Sequence, residues 1–254
     1  MKAQELFDLG GRIALVTGAS RGIGAAIART LADNGAEVVL VSRRLEACEA
    51  VAADIRAAGG KAHARACHVG ELGEIDALFA WVSEHFRRLD VLVNNAATNP
   101  LYGSVLDVEP AGFQKTSDVN FRGYWFMSQR AATLMRAGGG GSIVNIASVA
   151  GERPMAGIGA YSATKAAVIS MTRAFARECA PYGVRVNAIL PGLVNTKMAA
   201  ALQTGALREQ ALRAIPLRRI AEPEDIAGAA LYFAAPASGY TTGATLRVDG
   251  GMNA

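Results

Sequence analysis

The chain has 254 residues, 51% of them hydrophobic and 19% charged, which suits one compact domain with a sizeable core and excludes a disordered segment. Its 26 basic and 22 acidic residues leave a net charge of +4 and are interleaved along the chain, so there is no concentrated nucleic-acid-binding stripe. Three cysteines, Cys48, Cys67 and Cys179, show no paired spacing; this argues against a disulfide framework or a zinc site and makes a reducing, cytoplasmic location the expectation.

Met1 to Gly11 carries Glu5 and Asp8 and no long apolar run, unlike a signal peptide. Short β-rich runs then alternate with longer helical ones. Residues 12–18 (RIALVTG) are an apolar run that breaks at glycine, and 25–35 follow with helical periodicity and a glycine stop. A second strand is expected over 36–44 and an Ala/Glu-rich helix over roughly 45–58. Residues 62–69 read as a third strand, 72–87 as a helix, and 89–97 as a fourth strand. Helical stretches lie near 109–137, and four glycines at 138–141 turn the chain into a strand over 142–148. A helix over 161–180 feeds a strand over 184–192, and 244–251 closes the series. The longest nearly apolar stretch, 226–237, is well short of the ~18 residues a membrane-spanning helix needs, so no membrane partner is expected. Seven strands with intervening helices predict an α/β fold: a single doubly wound (Rossmann) domain over 1–254, its seven-stranded parallel sheet covered on both faces.

Glycine is over-represented, with 28 residues where the usual share is ~7%. Such an excess points to loops in which backbone turns sharply or lies close to a ligand. The first strand–helix junction reads Thr17-Gly18-Ala19-Ser20-Arg21-Gly22-Ile23-Gly24. Gly18 permits a sharp turn there. Gly22 and Gly24 let backbone approach a pyrophosphate and the helix pack tightly, while the helix N-terminus favours the anion. The G-x-x-x-G-x-G spacing differs from the more general G-x-G-x-x-G, and a glycine-rich turn without a ligand is the alternative reading.

The second strand bears on which dinucleotide binds. NAD-selective sites carry an acidic residue near this strand's end for the ribose hydroxyls, whereas an arginine accommodates a 2′-phosphate. Here the strand ends in Ser42-Arg43-Arg44 with no acid, and Arg21 sits in the glycine loop. A guanidinium can hold the extra phosphate through two charge-assisted hydrogen bonds, so NADP(H) is expected over NAD. Two solvated arginines at a helix start are the bland alternative, although the helix dipole disfavours cations there.

Tyr161-Ser162-Ala163-Thr164-Lys165 opens a long helix and places Tyr161 and Lys165 on one face. An ammonium beside a phenol stabilises phenolate and lowers the phenol pKa, which suits proton exchange with a carbonyl or alcohol oxygen. Alone, such a pair is usually an ordinary helix face. Ser148, at the end of a predicted strand where open parallel sheets place their crevice, can donate to the same oxygen, or it can serve as a cap or turn residue. Asn120 is a polar residue in an apolar helical stretch, and a satisfied core amide is an equal reading. No Ser-His-Asp order stands out, and His63, His68 and His85 lack metal-ligand spacing.

The glycine loop, the Asn-rich end of the fourth strand and the set Asn120, Ser148, Tyr161, Lys165 together resemble the short-chain dehydrogenase/reductase family over essentially the whole chain. The segments PGLVNT (191–196), EPEDIAGAALYFA (222–234) and DGG (249–251) are also similar to that family. The resemblance implies that Tyr161 is the acid/base, that Lys165 lowers its pKa and binds the nicotinamide ribose, and that Ser148 orients the carbonyl. It implies that Asn120 holds a water in a proton relay from Lys165. It further implies cofactor contacts from Gly18, Ser20, Arg21, Gly22, Ile23 and Gly24, from Ser42, Arg43 and Arg44, and from His68, Val69, Asn95 and Ala96. Pro191, Gly192, Val194 and Thr196 would meet the nicotinamide end. Two departures stand out: Ala97 replaces the last glycine of the usual Asn-Asn-Ala-Gly, and His68 replaces the usual Asp after the third strand. The latter removes a carboxylate that commonly contacts adenine. CHVG (67–70) and NAATNP (95–100) resemble a subgroup of NADPH-dependent carbonyl and retinol reductases, in which both departures are ordinary.

These readings predict NADPH-dependent reduction of a ketone or aldehyde. The rivals are a 3-oxoacyl carrier-protein reductase, whose acidic carrier Arg136 and Arg177 would attract near the pocket mouth, and a catalytically silent dinucleotide-binding module. By fold analogy, segments 98–104, 149–156 and an insertion over about 193–215 line the substrate pocket and offer Leu101, Tyr102, Met155, Leu193 and Met198. That set suggests an apolar carbonyl substrate. The resemblance also implies a homotetramer, with the 107–137 and 161–180 helices packing across subunits.

Overall fold

The apolar runs become one parallel sheet in the computed structural model, which describes residues 2–197 and 205–254. Its strands are β1 (Ile13–Thr17), β2 (Glu37–Ser42), β3 (Lys61–Ala66), β4 (Val91–Asn94), β5 (Gly141–Ile146), β6 (Val184–Pro191) and β7 (Thr245–Val248). They lie in the order β3-β2-β1-β4-β5-β6-β7, and every pairing is parallel. All five residues of β1 and all four of β4 are buried, because helices cover both faces; this is why the strands read as continuous apolar runs.

The helices are α1 (Ala3–Phe7), α2 (Gly22–Asp33), α3 (Leu45–Ala57), α4 (Leu72–Phe86), α5 (Pro110–Ser117), α6 (Gly123–Ala137), α7 (Gly159–Cys179), α8 (Gly205–Ala214) and α9 (Pro223–Ala234). Alternate strand residues serve opposite faces. Val16, Val38 and Leu40 meet Ile27 and Leu31 of α2 and Phe233 of α9. Leu15, Val39 and Leu92 meet Phe79 and Val82 of α4 and Met127 of α6. Among the described residues, no helix is long and apolar enough to cross a membrane.

Several boundaries differ from the sequence expectation for identifiable reasons. Strand β4 stops at Asn94 because the next two amides, of Asn95 and Ala96, donate to Thr17 Oγ1 at 2.9 and 3.1 Å and so leave the ladder. The helical stretch near 109–137 is three pieces, since a π-helical turn at Asp118–Arg122 joins α5 to α6. Helices α1 and α9 fall where no element was assigned. In α9 the apolar run is opened by Pro223 at the first position and a reciprocal Glu222/Asp225 cap. The chain runs from β1 out to the β3 edge and returns to β4 beside β1, so the order reverses between β1 and β4. In open parallel sheets a ligand crevice lies outside the carboxyl ends of the strands at such a point.

Candidate active site

Thr17 closes β1 and organises this crevice. Its hydroxyl donates to the Val93 carbonyl (3.3 Å) while accepting from Asn95 and Ala96, and the Asn95 amide donates to the carbonyls of Thr17 and Gly18 at 3.0 and 3.3 Å. Gly18 has φ +65°, and a Cβ there would stand 2.8 Å from Asn95 Nδ2 and 2.9 Å from Ala96 Cα. A Cβ on Gly24 would lie 2.4 Å from the Gly18 carbonyl oxygen. Only glycine fits this contact between the turn and α2. The helix N-terminus, with Gly22 beside it, therefore opens directly onto a cleft of about 1530 Å³ at the carboxyl ends of the strands. A backbone cradle at a helix N-terminus fits the pyrophosphate of a dinucleotide.

Arg21, Arg43 and Arg44 line the same cleft with exposed side chains, and among the described residues no ion pair engages them. The strand end that carries the pair is braced. Ser42 Oγ donates to the Arg44 carbonyl (3.0 Å) and accepts from the Cys48 thiol (3.2 Å). Beyond β3, His68 Nδ1 accepts from the Gly70 amide at 3.1 Å.

At the other side, Ser148 follows β5 in an extended conformation, and its hydroxyl caps the next turn by accepting from the Ala150 amide at 3.1 Å. The same hydroxyl neighbours Tyr161, in the first turn of α7, and both side chains line the cleft. Lys165, one turn further, is 1% exposed. Its ammonium donates to the Ile146 carbonyl at 2.7 Å and the Tyr124 hydroxyl at 3.3 Å, and lies 5.8 Å from the Tyr161 ring centre. Burial without a carboxylate partner lowers Lys165 from the ordinary lysine range to about 7.

The expectation that this ammonium depresses the tyrosine is not met. Burial pushes Tyr161 up to about 12, opposed by the neighbouring Ser148 hydroxyl, with Tyr102 adding to the rise. Burial of the phenol dominates the shift, and the lysine donates to the end of β5.

The whole-chain comparisons agree with this geometry. The family model described as enoyl-(acyl carrier protein) reductase matches residues 18–253. Human dehydrogenase/reductase SDR family member 4 is 36% identical over 244 residues, covering 96% of this chain and 88% of that protein. A Synechocystis 3-oxoacyl-[acyl-carrier-protein] reductase is 41% identical over 243 residues, covering 95% and 96%. The chain belongs to the short-chain dehydrogenase/reductase family. The crystal structure of a gluconate 5-dehydrogenase from Burkholderia cenocepacia, in complex with NADP and tartrate, matches this short-chain dehydrogenase/reductase with a TM-score of 0.95. It is 34% identical and covers 99% of this chain and 98% of that one. The protein is thus an NAD(P)-dependent oxidoreductase with the Rossmann-like fold of its family.

Within this short-chain dehydrogenase/reductase, the cleft brings together nearly all residues singled out in the sequence. Gly18, Ser20, Arg21, Gly22, Ile23, Ser42, Arg43, Arg44, His68, Val69, Asn95 and Ala96 line one half. Ser148, Tyr161, Lys165, Pro191, Gly192, Val194 and Thr196 line the other. Gly24 lies behind the wall as the helix-packing glycine. Asn120 is also outside it, fully buried in the π-helical turn. Its carboxamide accepts from the Thr98 amide and donates to the Thr98 carbonyl, both at 2.8 Å, with a longer contact to Thr164 Oγ1 at 3.3 Å. Asn94 ties β4 to α6 and β5 through Ser128 and Asn145, so the Asn-rich strand end is divided between scaffold and cleft.

Tyr102, Met155 and Leu193 line the cleft. Leu101 does not; it packs where a Cβ on Gly112 would stand, 2.6 Å from its Cδ2. Met198 lies outside the described residues. Arg136 and Arg177 are also corrected. They occupy the last turns of α6 and α7, which lead into β5 and β6 at the opposite end of the sheet from the cleft, so they cannot form its mouth. Sequence reasoning missed Tyr124, buried with its hydroxyl 3.2 Å from the Ile146 carbonyl and its ring 4.8 Å from the Lys165 ammonium. Its position one turn after Asn120 was the available signal. Lys115, exposed on α5 and lining the cleft, was missed as well.

Proposed function

We propose that this enzyme reduces a ketone or aldehyde to an alcohol, reversibly, with NADPH as the hydride donor. The observation that carries this reading is that Ser148 and Tyr161 stand beside each other on the wall of the cleft. Two neighbouring hydroxyls on one wall can converge on a single carbonyl oxygen. With its pKa near 12, Tyr161 holds its proton at neutral pH and can donate it from Oη as negative charge develops on the carbonyl oxygen. Ser148 keeps that oxygen in place. Lys165, close to half-protonated at neutral pH, favours the phenolate that remains whenever it carries its charge. Asn120 holds Thr98 against the start of α7, and a water relay from Lys165 past it belongs to the same reading.

When bound, NADPH supplies the hydride. Gly18, Ser20, Gly22 and Ile23 would hold its pyrophosphate, with Arg21, Arg43 and Arg44 around the 2′-phosphate. His68, Val69, Asn95 and Ala96 would flank the adenosine half, and Pro191, Gly192, Val194 and Thr196 the nicotinamide. Tyr102, Met155 and Leu193 make the substrate side apolar. Reduction of 3-oxoacyl thioesters is a second reading, favoured by the 41% identity to the Synechocystis enzyme and by Lys115 and Lys197 on the cleft wall. Exposed Phe113, Trp125 and Tyr182 on and beside α5 to α7 support packing of these helices in a homotetramer, for which light scattering is the test. A cytoplasmic location completes the proposal.

The decisive assay follows NADPH consumption with ketones, aldehydes, α-diketones, retinal and acetoacetyl thioesters. Turnover of simple carbonyls with alcohol product is expected. Thioester-only turnover would select the second reading, and NADPH binding without turnover of any carbonyl would leave a silent binding module.

A further inference from the structure

A second, smaller cavity of about 140 Å³ lies beside the main cleft. Ile215, Leu217, Ala221 and Val248 form its apolar walls, with Asp249, Gly250 and the Arg219–Asp225 ion pair at its margin. Leu193 is the one residue, among those described, that lines both cavities. The two spaces also interleave along the chain. Ala211 and Ala214 face the cleft while Ile215 faces the side cavity, and Glu222 and Glu224 face the cleft while Ala221 and Asp225 face the side cavity. Leu193 therefore stands at the boundary between the two spaces.

The backbone that carries Leu193 is fixed independently of its side chain. The Ala221 amide donates to the Leu193 carbonyl at 3.1 Å, the Asn195 amide donates to the Ala221 carbonyl at 2.7 Å, and Val194 and Ala221 form a parallel bridge. Gly192, immediately before, is pressed against β7's end, where a Cβ would lie 2.8 Å from Asp249 Cα. Trimming Leu193 is thus expected to open this boundary while the loop stays in place. The side cavity is close to the ~150 Å³ at which an apolar protein cavity takes up benzene. Leu217 on its outer wall is 66% exposed, so the space continues toward the surface.

We propose that Leu193 determines substrate size in this enzyme: it admits compact carbonyl compounds and closes off a side pocket shaped for an aryl or longer alkyl substituent. The inference rests on the carbonyl-reducing reading of the cleft. A substituent that ends before Leu193 leaves the partition untouched. One that extends past it meets the Leu193 side chain, and such overpacking is unfavourable. Discrimination in apolar pockets amounts to roughly 10–200-fold per methylene, so removing the wall is expected to shift preference by at least about tenfold.

The test compares wild type, Leu193→Ala and the double variant Leu193→Ala/Ala221→Leu, because Ala221 lines only the side cavity and a leucine there refills it. With NADPH, the ratio of kcat/KM for a phenyl or hexyl ketone to that for butane-2,3-dione should rise at least about tenfold in Leu193→Ala and fall back in the double variant. Leu193→Val, a smaller trim, should give an intermediate ratio and serves if the alanine variant folds poorly. A uniform change across substrates, or a gain that survives refilling, would overturn the proposal. Calorimetric binding of phenyl ketones to the NADP⁺-loaded proteins reads the partition without turnover. Affinity should rise at least about tenfold in Leu193→Ala and be lost on refilling, and unchanged affinity overturns the proposal. Wild-type protein that reduces no carbonyl while showing this binding pattern would sink the functional reading and leave the partition standing.

Discussion

Lys165 and Tyr161 stand one helical turn apart on α7, yet the ammonium is 5.8 Å from the phenol ring and donates instead to the Ile146 carbonyl at 2.7 Å. Tyr124 completes the arrangement, its hydroxyl donating to the same carbonyl and its ring lying 4.8 Å from the ammonium. Anchoring to the end of β5 fixes the lysine by backbone, which does not titrate. The two ionisable groups are pushed apart by burial, with Lys165 down to about 7 and Tyr161 up to about 12.

That separation has a signature in stability. The unfolded chain holds the Lys165 proton up to the ordinary value of 10.5, whereas the folded chain releases it near 7. Between those values the unfolded state binds more protons, so this group's contribution to folded-state stability grows as pH rises, by at most about 1.4 kcal/mol per pH unit. Tyr161 acts in the opposite sense at higher pH, since its unfolded form deprotonates near 10 and its folded form near 12. Denaturant unfolding of wild type and Lys165→Met should show the variant's advantage shrinking from about pH 7 to about pH 9. A pH-independent difference would mean that the folded lysine is not destabilised.

Tyr161→Phe deletes one hydroxyl and leaves the ring packing intact. Under the proposed mechanism NADPH affinity stays within a few-fold while turnover falls by ~10²–10⁴, the usual cost of losing a general acid. Ser148→Ala should lower turnover as well, with a turn cap lost alongside. Steady-state kinetics combined with NADPH titration separates the two effects. A Tyr161→Phe enzyme with near wild-type turnover is incompatible with the mechanism.

Gly24→Ala tests the cradle. Its Cβ would sit 2.4 Å from the Gly18 oxygen and 2.5 Å from Asn95 Nδ2, and the first of these is backbone that can yield only by moving the turn. Overpacking of this kind costs about 1–3 kcal/mol, and NADPH affinity should fall at least about tenfold. Gly228, inside α9, is the control, since a Cβ there meets nothing within 4 Å. Gly228→Ala should raise the stability by roughly 0.5–1 kcal/mol through helix propensity. Thermal unfolding and cofactor titration of both variants read the contrast.

The strands and the glycine turn were legible because both rest on local rules: apolar runs between paired faces, and a strand–turn–helix spacing that only glycine satisfies. The boundaries that moved did so for tertiary reasons. No local pattern announces that Thr17 takes the amides of Asn95 and Ala96 and so ends β4 early. The π-helical turn at Asp118–Arg122 was likewise invisible, because its sequence is as helical as its neighbours. For the site, residue types and order identified Ser148, Tyr161 and Lys165. They did not show how deeply the phenol is buried, and burial is what sets the tyrosine's direction of shift. Arg136 and Arg177 failed for a related reason, since sequence distance does not say which end of the sheet a helix terminus reaches.

Asn120 sits on that π-helical turn with both sides of its carboxamide held by Thr98. Asn120→Ala leaves the Thr98 amide and carbonyl without these partners, and an unsatisfied buried group costs about 1–3 kcal/mol. The expected result is a lower melting temperature together with reduced kcat, because Thr98 and Asn99 belong to the cleft wall. Unfolding and kinetics on one preparation check both. An Asn120→Ala protein as stable as wild type would show that the amide does not brace this wall.

In the proposed function, cofactor choice rests on Arg43 and Arg44, which line the cleft at the end of β2, where Ser42 stands and no acid does. Both guanidinium groups are exposed, so neither is needed for the core, and their removal should leave the melting temperature nearly unchanged. The brace beneath them survives too, since Ser42 bonds the Arg44 backbone carbonyl and not its side chain. On the proposed reading, Arg43→Ala/Arg44→Ala removes a set of hydrogen bonds to a doubly charged 2′-phosphate, each worth about 1.5–3 kcal/mol. The KM for NADPH should therefore rise at least about tenfold, while that for NADH, which lacks the phosphate, changes little. Raising salt should weaken wild-type NADPH binding more than that of the variant, because exposed charges are screened. Wild-type protein that prefers NADH, or a double variant that loses both cofactors equally, would overturn the assignment of this strand end to phosphate recognition.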